Sequence, residues 1–289
     1  MASDVIPRVS AISAAVTRVL GCNPGPFTLQ GTNTYLVGRG RRRVLIDTGQ
    51  GVPEYETVLA EHVASNDVDV SDVLLTHWHK DHVLGVDFVR RLFPRAALWK
   101  FPDDHDAEHA WASDIRPIAD MATFDVDGGV LTAWHTPGHT ADHCMFHFAD
   151  GAGGALFTGD TILGAGSSVF EDLHSYMTTL GLVRDRLAGS TWQVGELYPA
   201  HGPVVRDPRA KVAEYIKHRL DREDQIVAVT RDLGTSGPVD AAAIVAVLYK
   251  EVNPAVWPRA ERGVVQHLNR LAATGRMEAV GDRWQVRDP

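Results

Sequence analysis

The stretch Thr76-His77-Trp78-His79-Lys80-Asp81-His82 follows the apolar run Val73-Leu74-Leu75. Four of its residues can bind a metal ion, at i, i+2, i+4 and i+5. A buried strand ending in a tight loop brings such side chains into one small volume. Imidazole and carboxylate together suit a borderline cation such as zinc. A solvated polar loop would account for one histidine. It does not account for a His-x-His-x-Asp-His cluster placed directly after a strand.

Two adjacent metals need about seven or eight protein ligands, and this loop supplies four. Three later positions are candidates: His139 in His135-Thr136-Pro137-Gly138-His139, Asp160 in Leu156-Phe157-Thr158-Gly159-Asp160, and His201 in Leu197-Tyr198-Pro199-Ala200-His201. Each follows a short apolar or aromatic run and sits beside Gly or Pro, where a strand ends and the backbone turns. Strand-end loops on one sheet edge are where α/β folds collect their chemistry.

This order of ligands resembles the metallo-β-lactamase superfamily over about residues 15–205. Val19-Leu20-Gly21-Cys22-Asn23-Pro24-Gly25-Pro26, Thr28-Leu29-Gln30-Gly31-Thr32-Asn33-Thr34-Tyr35 and Val169-Phe170-Glu171-Asp172-Leu173 resemble the β-lactamase-like protein 2 endoribonucleases. They are also similar to fungal acyl-carrier-protein thioesterases. The resemblance implies an α/β fold, a four-layer αββα sandwich at residues 1–206, with a winged-helix-like helical appendage at 207–289. It implies two Zn2+ per chain: His77, His79 and His139 on one, Asp81, His82 and His201 on the other, Asp160 bridging. Zinc lowers the pKa of bound water from 15.7 toward about 7, so a bridging hydroxide is the nucleophile this resemblance implies. The family's usual Gly-Gly after the histidine loop reads Leu84-Gly85, and its Pro-Gly-His reads Pro199-Ala200-His201. Both changes add a Cβ where a permissive Gly is usual, so loop geometry is expected to differ slightly.

Several other residues are candidates for work at the site. Asp81 is counted as catalytic as well as ligating. Asn33, in the turn-prone Thr32-Asn33-Thr34, either donates its amide to a substrate oxygen or makes an Asx turn. His143, four residues beyond His139, either contacts substrate or orients a ligand. His174 and Tyr176 either line the pocket or are ordinary half-buried side chains. Asp47, ending a strand, is expected to orient the histidine loop as a hydrogen-bond acceptor. No Gly-x-Ser-x-Gly motif is present, and none is needed.

The elements that position these residues follow from the apolar pattern. Val16 to Leu20, Thr28 to Gly38 and Arg43 to Asp47 read as strands, with a hairpin turn at Gly38-Arg39-Gly40. Pro53 to Val63 and Phe88 to Phe93 read as helices, Ala97-Leu98-Trp99 and Val130 to His135 as strands. Leu156 to Gly159 and Val194 to Tyr198 deliver Asp160 and His201. Val169 to Leu180 reads as loop then helix. Residues 102–116, rich in Asp and His, are expected to form a solvated surface insertion. Beyond about residue 206, Arg209 to Leu233, Val239 to Val252 and Arg262 to Thr274 read as helices and Gly275 to Arg287 as a hairpin, a winged-helix order. Arg262, His267 and Arg270 are too few for a DNA-recognition helix, so this appendage is expected to pack on the core or flank a substrate groove.

Composition narrows the function. The chain has 289 residues, 44% apolar and 22% charged, an ordinary globular balance. No apolar run approaches the roughly 18 residues of a membrane helix. Cys22 and Cys144 give no disulfide framework, which suits a reducing compartment; Cys144 is read as a small buried strand residue. Arg8 and Arg18, with Asp4 the lone acid among them, weakly resemble a transit segment, so the expected location is the cytoplasm or the mitochondrial matrix. The net charge of −9 argues against a broadly basic surface but leaves room for a local groove. The reading is therefore a zinc hydrolase, with two expected substrates. The first is single-stranded RNA, from the resemblance; the alternative is a small or carrier-bound acyl thioester. The chain is also a candidate homodimer.

Overall fold

A computed structural model describes residues 5–287 apart from residue 152; Asp4, part of the N-terminal reading, lies outside them. Seven strands form one sheet in sequential order: β1 (Val9–Ser13), β2 (Val16–Leu20), β3 (Asn33–Val37), β4 (Arg42–Ile46), β5 (Asp69–Leu75), β6 (Ala97–Lys100) and β7 (Ile115–Pro117). Its first four strands pair antiparallel and β4 to β7 pair parallel. The second sheet holds β8 (Thr123–Val126), β9 (Gly129–His135), β10 (Cys144–Ala149), β11 (Ala155–Gly159) and β12 (Glu196–Pro199), in the order β12-β11-β10-β9-β8.

Strand periodicity explains why these segments are continuously apolar. Tyr35 and Val37 face the cluster between the two sheets, while Leu36 faces outward into a second cluster. Ile46, Leu74, Phe146 and Phe157 repeat the inward placement. Their neighbours Leu45, Leu75, Met145 and Leu156 point out to helices. With both faces covered, alternation of polar and apolar residues disappears. On the first sheet the covering helices are α1 (Pro53–Ser65), α2 (Lys80–Val83) and α3 (Val86–Leu92), through Leu59, Val83 and Val89. On the second they are α4 (Leu173–Ala188) and the start of α5 (Pro208–Leu233), through Leu180, Val183, Val212 and Tyr215. The four layers αββα result.

Asp172 caps α4 by accepting from the Ser175 N–H at 2.7 Å, and Asp207 caps α5 by accepting from Ala210 at 3.0 Å. The far end of α5 joins a separate core with α6 (Ala241–Leu248), α7 (Trp257–Ala273) and the hairpin β13 (Met277–Val280) and β14 (Arg283–Val286). The expected division at 206/207 falls just before α5, a single helix that contributes to both cores.

Some expected bounds shift. Residues 28–32 are not strand, because Leu29 and Gly31 take positive φ and the chain turns there. The helix expected at Val239 to Val252 ends at Leu248, and α7 starts five residues before Arg262, with Pro258 in its first turn. Residues 102–116 are largely exposed, as expected of a solvated surface insertion, but they are anchored at two points. Trp111 is buried in the outer cluster, and a short 3-10 turn at Asp104–Glu108 is held by a buried ion pair from Lys100 to Asp106 at 2.7 Å. Among the described residues, no helix is long and apolar enough to cross a membrane.

The two glycine replacements are accommodated. Leu84 has φ −67° and is half exposed, and Ala200 is not among the positive-φ residues. Gly85, which is retained, has no such freedom. A Cβ there would lie 1.9 Å from the Thr48 carbonyl oxygen. Gly85→Ala is expected to lower unfolding free energy by about 2 kcal/mol or more, as overpacking against backbone does. Leu84→Gly should cost only about 1 kcal/mol. Denaturant titration of both variants measures the difference; equal costs would contradict the tight approach.

Candidate metal centre

The two sheets place their strand ends side by side, and the seven candidate ligands sit on those ends. His77 and His79 follow β5, Asp81 and His82 lie in α2, His139 follows β9, Asp160 follows β11 and His201 follows β12. Backbone bonds stitch the ends together: Cys144 N–H donates to Thr76 O at 2.8 Å, Ala200 N–H to Gly159 O at 3.0 Å, and Asn33 N–H to Ala200 O at 2.6 Å. Gly138, with φ +134°, lets the His139 loop touch α4, since a Cβ there would sit 2.3 Å from the Tyr176 Cα.

The ligand atoms fall into two groups: His77, His79, His139 and Asp160, and Asp81, His82 and His201. In the first, His77 Nε2 lies 3.0 Å from His79 Nδ1. His139 Nε2 is 3.1 Å from His79 Nδ1 and 3.3 Å from His77 Nε2. Zn–N bonds of about 2.0–2.1 Å at tetrahedral angles put ligand nitrogens about 3.3 Å apart. The outer nitrogens of His139 and His77 are already engaged. His139 Nδ1 donates to Val169 O at 2.8 Å, and His77 Nδ1 lies 2.9 Å from Thr76 Oγ1. Lone pairs of the inner nitrogens therefore converge on one point, an arrangement that a cation satisfies.

In the second group, His82 Nδ1 donates to Asp47 Oδ2 at 2.8 Å, which turns Nε2 inward. That Nε2 lies 3.3 Å from Asp81 Oδ2 and 3.6 Å from Asp160 Oδ1. His201 Nε2 lies 3.3 Å from Asp81 Oδ2 and 3.1 Å from Asp160 Oδ1. Asp160 presents Oδ1 to this group and Oδ2 to His139 at 3.6 Å, the disposition of a bridging carboxylate. His82 Nε2 and Asp160 Oδ1 are buried and make their close polar contacts with other candidate ligands, Asp81 and His201. Buried donor atoms turned on one another in this way suit a cation between them. The donor set fits two ions of zinc's ligand preference.

Electrostatics separate the groups. Burial, then the neighbouring His82, His139 and His79, hold His77 well below the usual imidazole range. Burial, then His139, bring His79 down to about 4. Neutral imidazoles are the metal-binding form. Burial also opposes charge on His82 and His201, but carboxylates outweigh it. Asp81, Asp47 and Asp160 push His82 well up, and Asp160 with Asp81 raise His201 to about 9.

Asp47 takes the orienting role expected of it. Its Oδ1 accepts the Thr76 N–H at 2.8 Å, and both oxygens lie within 3.1 Å of Thr76 Oγ1. The Asn33 amide is turned away from any substrate. Its Nδ2 donates to Pro199 O at 2.8 Å and Gly202 O at 2.9 Å, bracketing the His201 turn. This correction has a simple cause: Asn33 is buried at the start of β3 and spends its donors on an adjacent loop. His143 is likewise enclosed. Its Nε2 accepts the Asp160 N–H at 3.2 Å while Nδ1 lies 2.9 Å from Thr136 Oγ1, and burial holds it well below the usual imidazole range. It orients a ligand loop rather than meeting substrate. Tyr176 is fully buried, its hydroxyl donating to Thr161 O at 2.7 Å, and His174 is exposed on α4. Neither is among the residues lining the cavity.

The cavity over the ligands has a volume of about 350 Å³ and is walled by Phe27, Trp78, Lys80 and Val169. Trp78 stacks on His105, ring centres 4.0 Å apart. Sequence reasoning missed Phe27 and the packing of Trp78, because neither carries a polar motif. It also missed Lys100, fully buried and paired with Asp142 at 2.6 Å, with Thr140 donating to the other Asp142 oxygen. That pair fixes the loop between His139 and His143. A lysine ending the apolar strand Ala97-Leu98-Trp99 was the available signal.

A four-layer sandwich with His/Asp candidate metal groups at its strand ends has the layout of the metallo-β-lactamase fold. Residues 27–215 match the metallo-β-lactamase superfamily, and 241–284 match the β-lactamase-associated winged helix domain. The chain belongs to that superfamily. It is 38% identical over 281 residues to a β-lactamase-like protein 2 homolog of Drosophila melanogaster, covering 94% of this chain and 93% of that one. An atrochrysone carboxyl ACP thioesterase of Aspergillus chevalieri is 44% identical over 229 residues, 78% of this chain and 69% of that protein. The fold is shared with a β-lactamase domain protein from Burkholderia ambifaria, at TM-score 0.76 and 21% identity over 98% of this chain and 96% of that one.

Asp47→Asn puts an amide where two donors need an acceptor. Metal affinity, measured by competition with a chelator, is expected to fall about 10- to 100-fold, the usual cost of losing a partner behind a ligand. Asp160→Ala should lose metal from both groups together on dialysis; loss of one ion alone by metal analysis would contradict bridging.

Proposed function

We propose that the protein is a zinc-dependent thioester hydrolase acting on acyl groups carried by a phosphopantetheine arm. The observation that carries this reading is the apolar wall of Phe27, Trp78 and Val169 placed directly over the ligand groups. The relative named as an ACP thioesterase supports it. His77, His79 and His139 would hold one ion, Asp81, His82 and His201 the other, and Asp160 both. When bound, zinc supplies a water acidified to near neutrality and a Lewis acid for the carbonyl.

The chain's own residues do the rest. Phe27, Trp78 and Val169 seat the acyl group and keep bulk water off the ester. The Asp47–His82 and Val169–His139 hydrogen bonds hold the ligand rings in place. Hydrolysis forms the acyl C–O bond and breaks C–S, and the sulfur leaves as thiolate. A thiol pKa near 8.5 means this departure needs little help from an acid. That matters because Lys80 is the one titratable side chain on the cavity wall outside the ligand groups.

The same exposed Lys80 is what favours the second reading, an endoribonuclease cutting single-stranded RNA, since it sits where a phosphate would enter. The two are separable. Zinc-loaded protein is expected to turn over an acyl thioester with higher kcat/KM than a short RNA, with activity lost to chelator and restored by zinc. Faster RNA cleavage would reverse the assignment, especially if log KM rose with log salt at roughly 0.7 per bound phosphate and Lys80→Ala flattened that slope.

A further inference from the structure

Beside the metal cavity runs a second, larger groove of about 580 Å³, formed where α7 meets the loop before α4. Its lining includes Ser168, Val169, Glu171, Arg219, Arg259 and Arg262. Val169 lines both cavities. The Arg259 guanidinium lies 4.6 Å from the ring centre of Phe27, itself a wall of the metal cavity. The two spaces are therefore neighbours.

The charges in this groove are unpaired. Among the described residues, none of Arg219, Arg259 and Arg262 has a carboxylate within ion-pair distance, although the rest of the chain pairs many of its cations. Glu171 is the one carboxylate on the lining, against three guanidinium groups. Arg219 is the sharpest case. It is 7% exposed, packs its guanidinium 4.9 Å from the ring centre of Phe170, and donates through Nη2 to Ser168 O. Its Nε is buried with no hydrogen-bond partner. A buried guanidinium without a counter-ion is costly. In a chain of net charge −9, a local excess of this kind points to an anionic ligand rather than to general surface charge.

We propose that this groove binds a phosphate carried by the substrate, which on the thioester reading above is the phosphate of the phosphopantetheine arm. Guanidinium groups match phosphate oxygens in bidentate geometry. The acyl end then lies over the ligand groups, the arm leaves past Val169 and Phe27, and its phosphate meets Arg259 and Arg262, with Arg219 behind them. The C-terminal domain supplies substrate affinity at a distance from the reacting bond.

The test uses full-length, zinc-loaded protein with a matched pair, S-acyl-4′-phosphopantetheine and S-acyl-pantetheine. The phosphorylated member should have a kcat/KM higher by roughly tenfold or more, the worth of hydrogen bonds to a charged group, carried in KM. In the Arg259→Gln/Arg262→Gln double variant that ratio should fall toward one. A ratio near one in wild type, with both thioesters hydrolysed, overturns the groove and leaves the thioesterase reading intact. Calorimetric binding of an S-methyl thioether of 4′-phosphopantetheine gives a readout free of turnover. Binding that the double variant loses, without hydrolysis of either ester, supports the groove and overturns the thioesterase. Loss of affinity in the double variant for a short RNA alone makes the groove a phosphodiester path and overturns the proposal. Acyl-coenzyme A and an acyl-carrier protein run in parallel identify the arm's source, since only the true carrier should show the same dependence on both arginines.

Discussion

One buried carboxylate organises the chemistry of this fold. Asp47 ends β4 in a left-handed conformation, φ 60°, which costs a non-glycine residue on the order of 1 kcal/mol or more. The strain aims its two oxygens at the end of the neighbouring parallel strand. They accept the Thr76 N–H and hydroxyl and the His82 Nδ1–H. One side chain thus ties β4 to β5, sets the turn into the histidine loop, and points His82 Nε2 at Asp81 and Asp160. Thr48 adds a second tie, its N–H and hydroxyl both donating to His82 O at 2.9 and 2.7 Å.

Such a site is expensive to build. Four histidines and Asp160 are at most a tenth exposed, with their inner atoms turned on one another. What offsets this is a core that continues right up to the ligands. Tyr35 stacks edge-on to Phe157 at 5.0 Å and donates its hydroxyl to Pro199 O at 2.7 Å, two residues before His201. The aromatic layer between the sheets and the polar layer at their ends are consecutive turns of the same strands. A candidate ligand cannot shift without disturbing that packing, so the geometry of the site is held by apolar burial.

How much of this was legible depended on range. The seven candidate ligands were readable because each stands at or just after the end of an apolar run, and the strand ends do bring them together. The four layers were implied by the family resemblance, and runs such as Tyr35-Leu36-Val37, buried on both faces, agree with them. What stayed hidden was decided by partners distant in sequence. Asn33 reads as a free turn amide until β3 is seen beside the His201 loop, 166 residues away. Residues 102–116 are largely exposed as read, but nothing local reveals that Asp106 anchors them to Lys100, which also holds Asp142. The shared helix α5 is continuous in pattern, and periodicity cannot show that one helix serves two cores.

That sharing changes how the C-terminal domain should be understood. Tyr215 of α5 accepts the Leu163 N–H and donates to Gly166 O, both at 3.0 Å, so the helix braces the loop after Asp160. From the other side, Gln266 of α7 donates to Glu171 O at 2.8 Å. Glu171 N–H in turn bonds the Gly138 and His139 carbonyls, and Val169 O receives the His139 ring proton. A short hydrogen-bonded path therefore runs from the winged domain to a metal-ligand candidate. The segment 167–171 at its middle lines the arginine groove, and through Val169 it also lines the metal cavity. A helix packed there holds His139 and shapes the space beside it through the same contacts. This is why the C-terminal domain belongs in the architecture of the site.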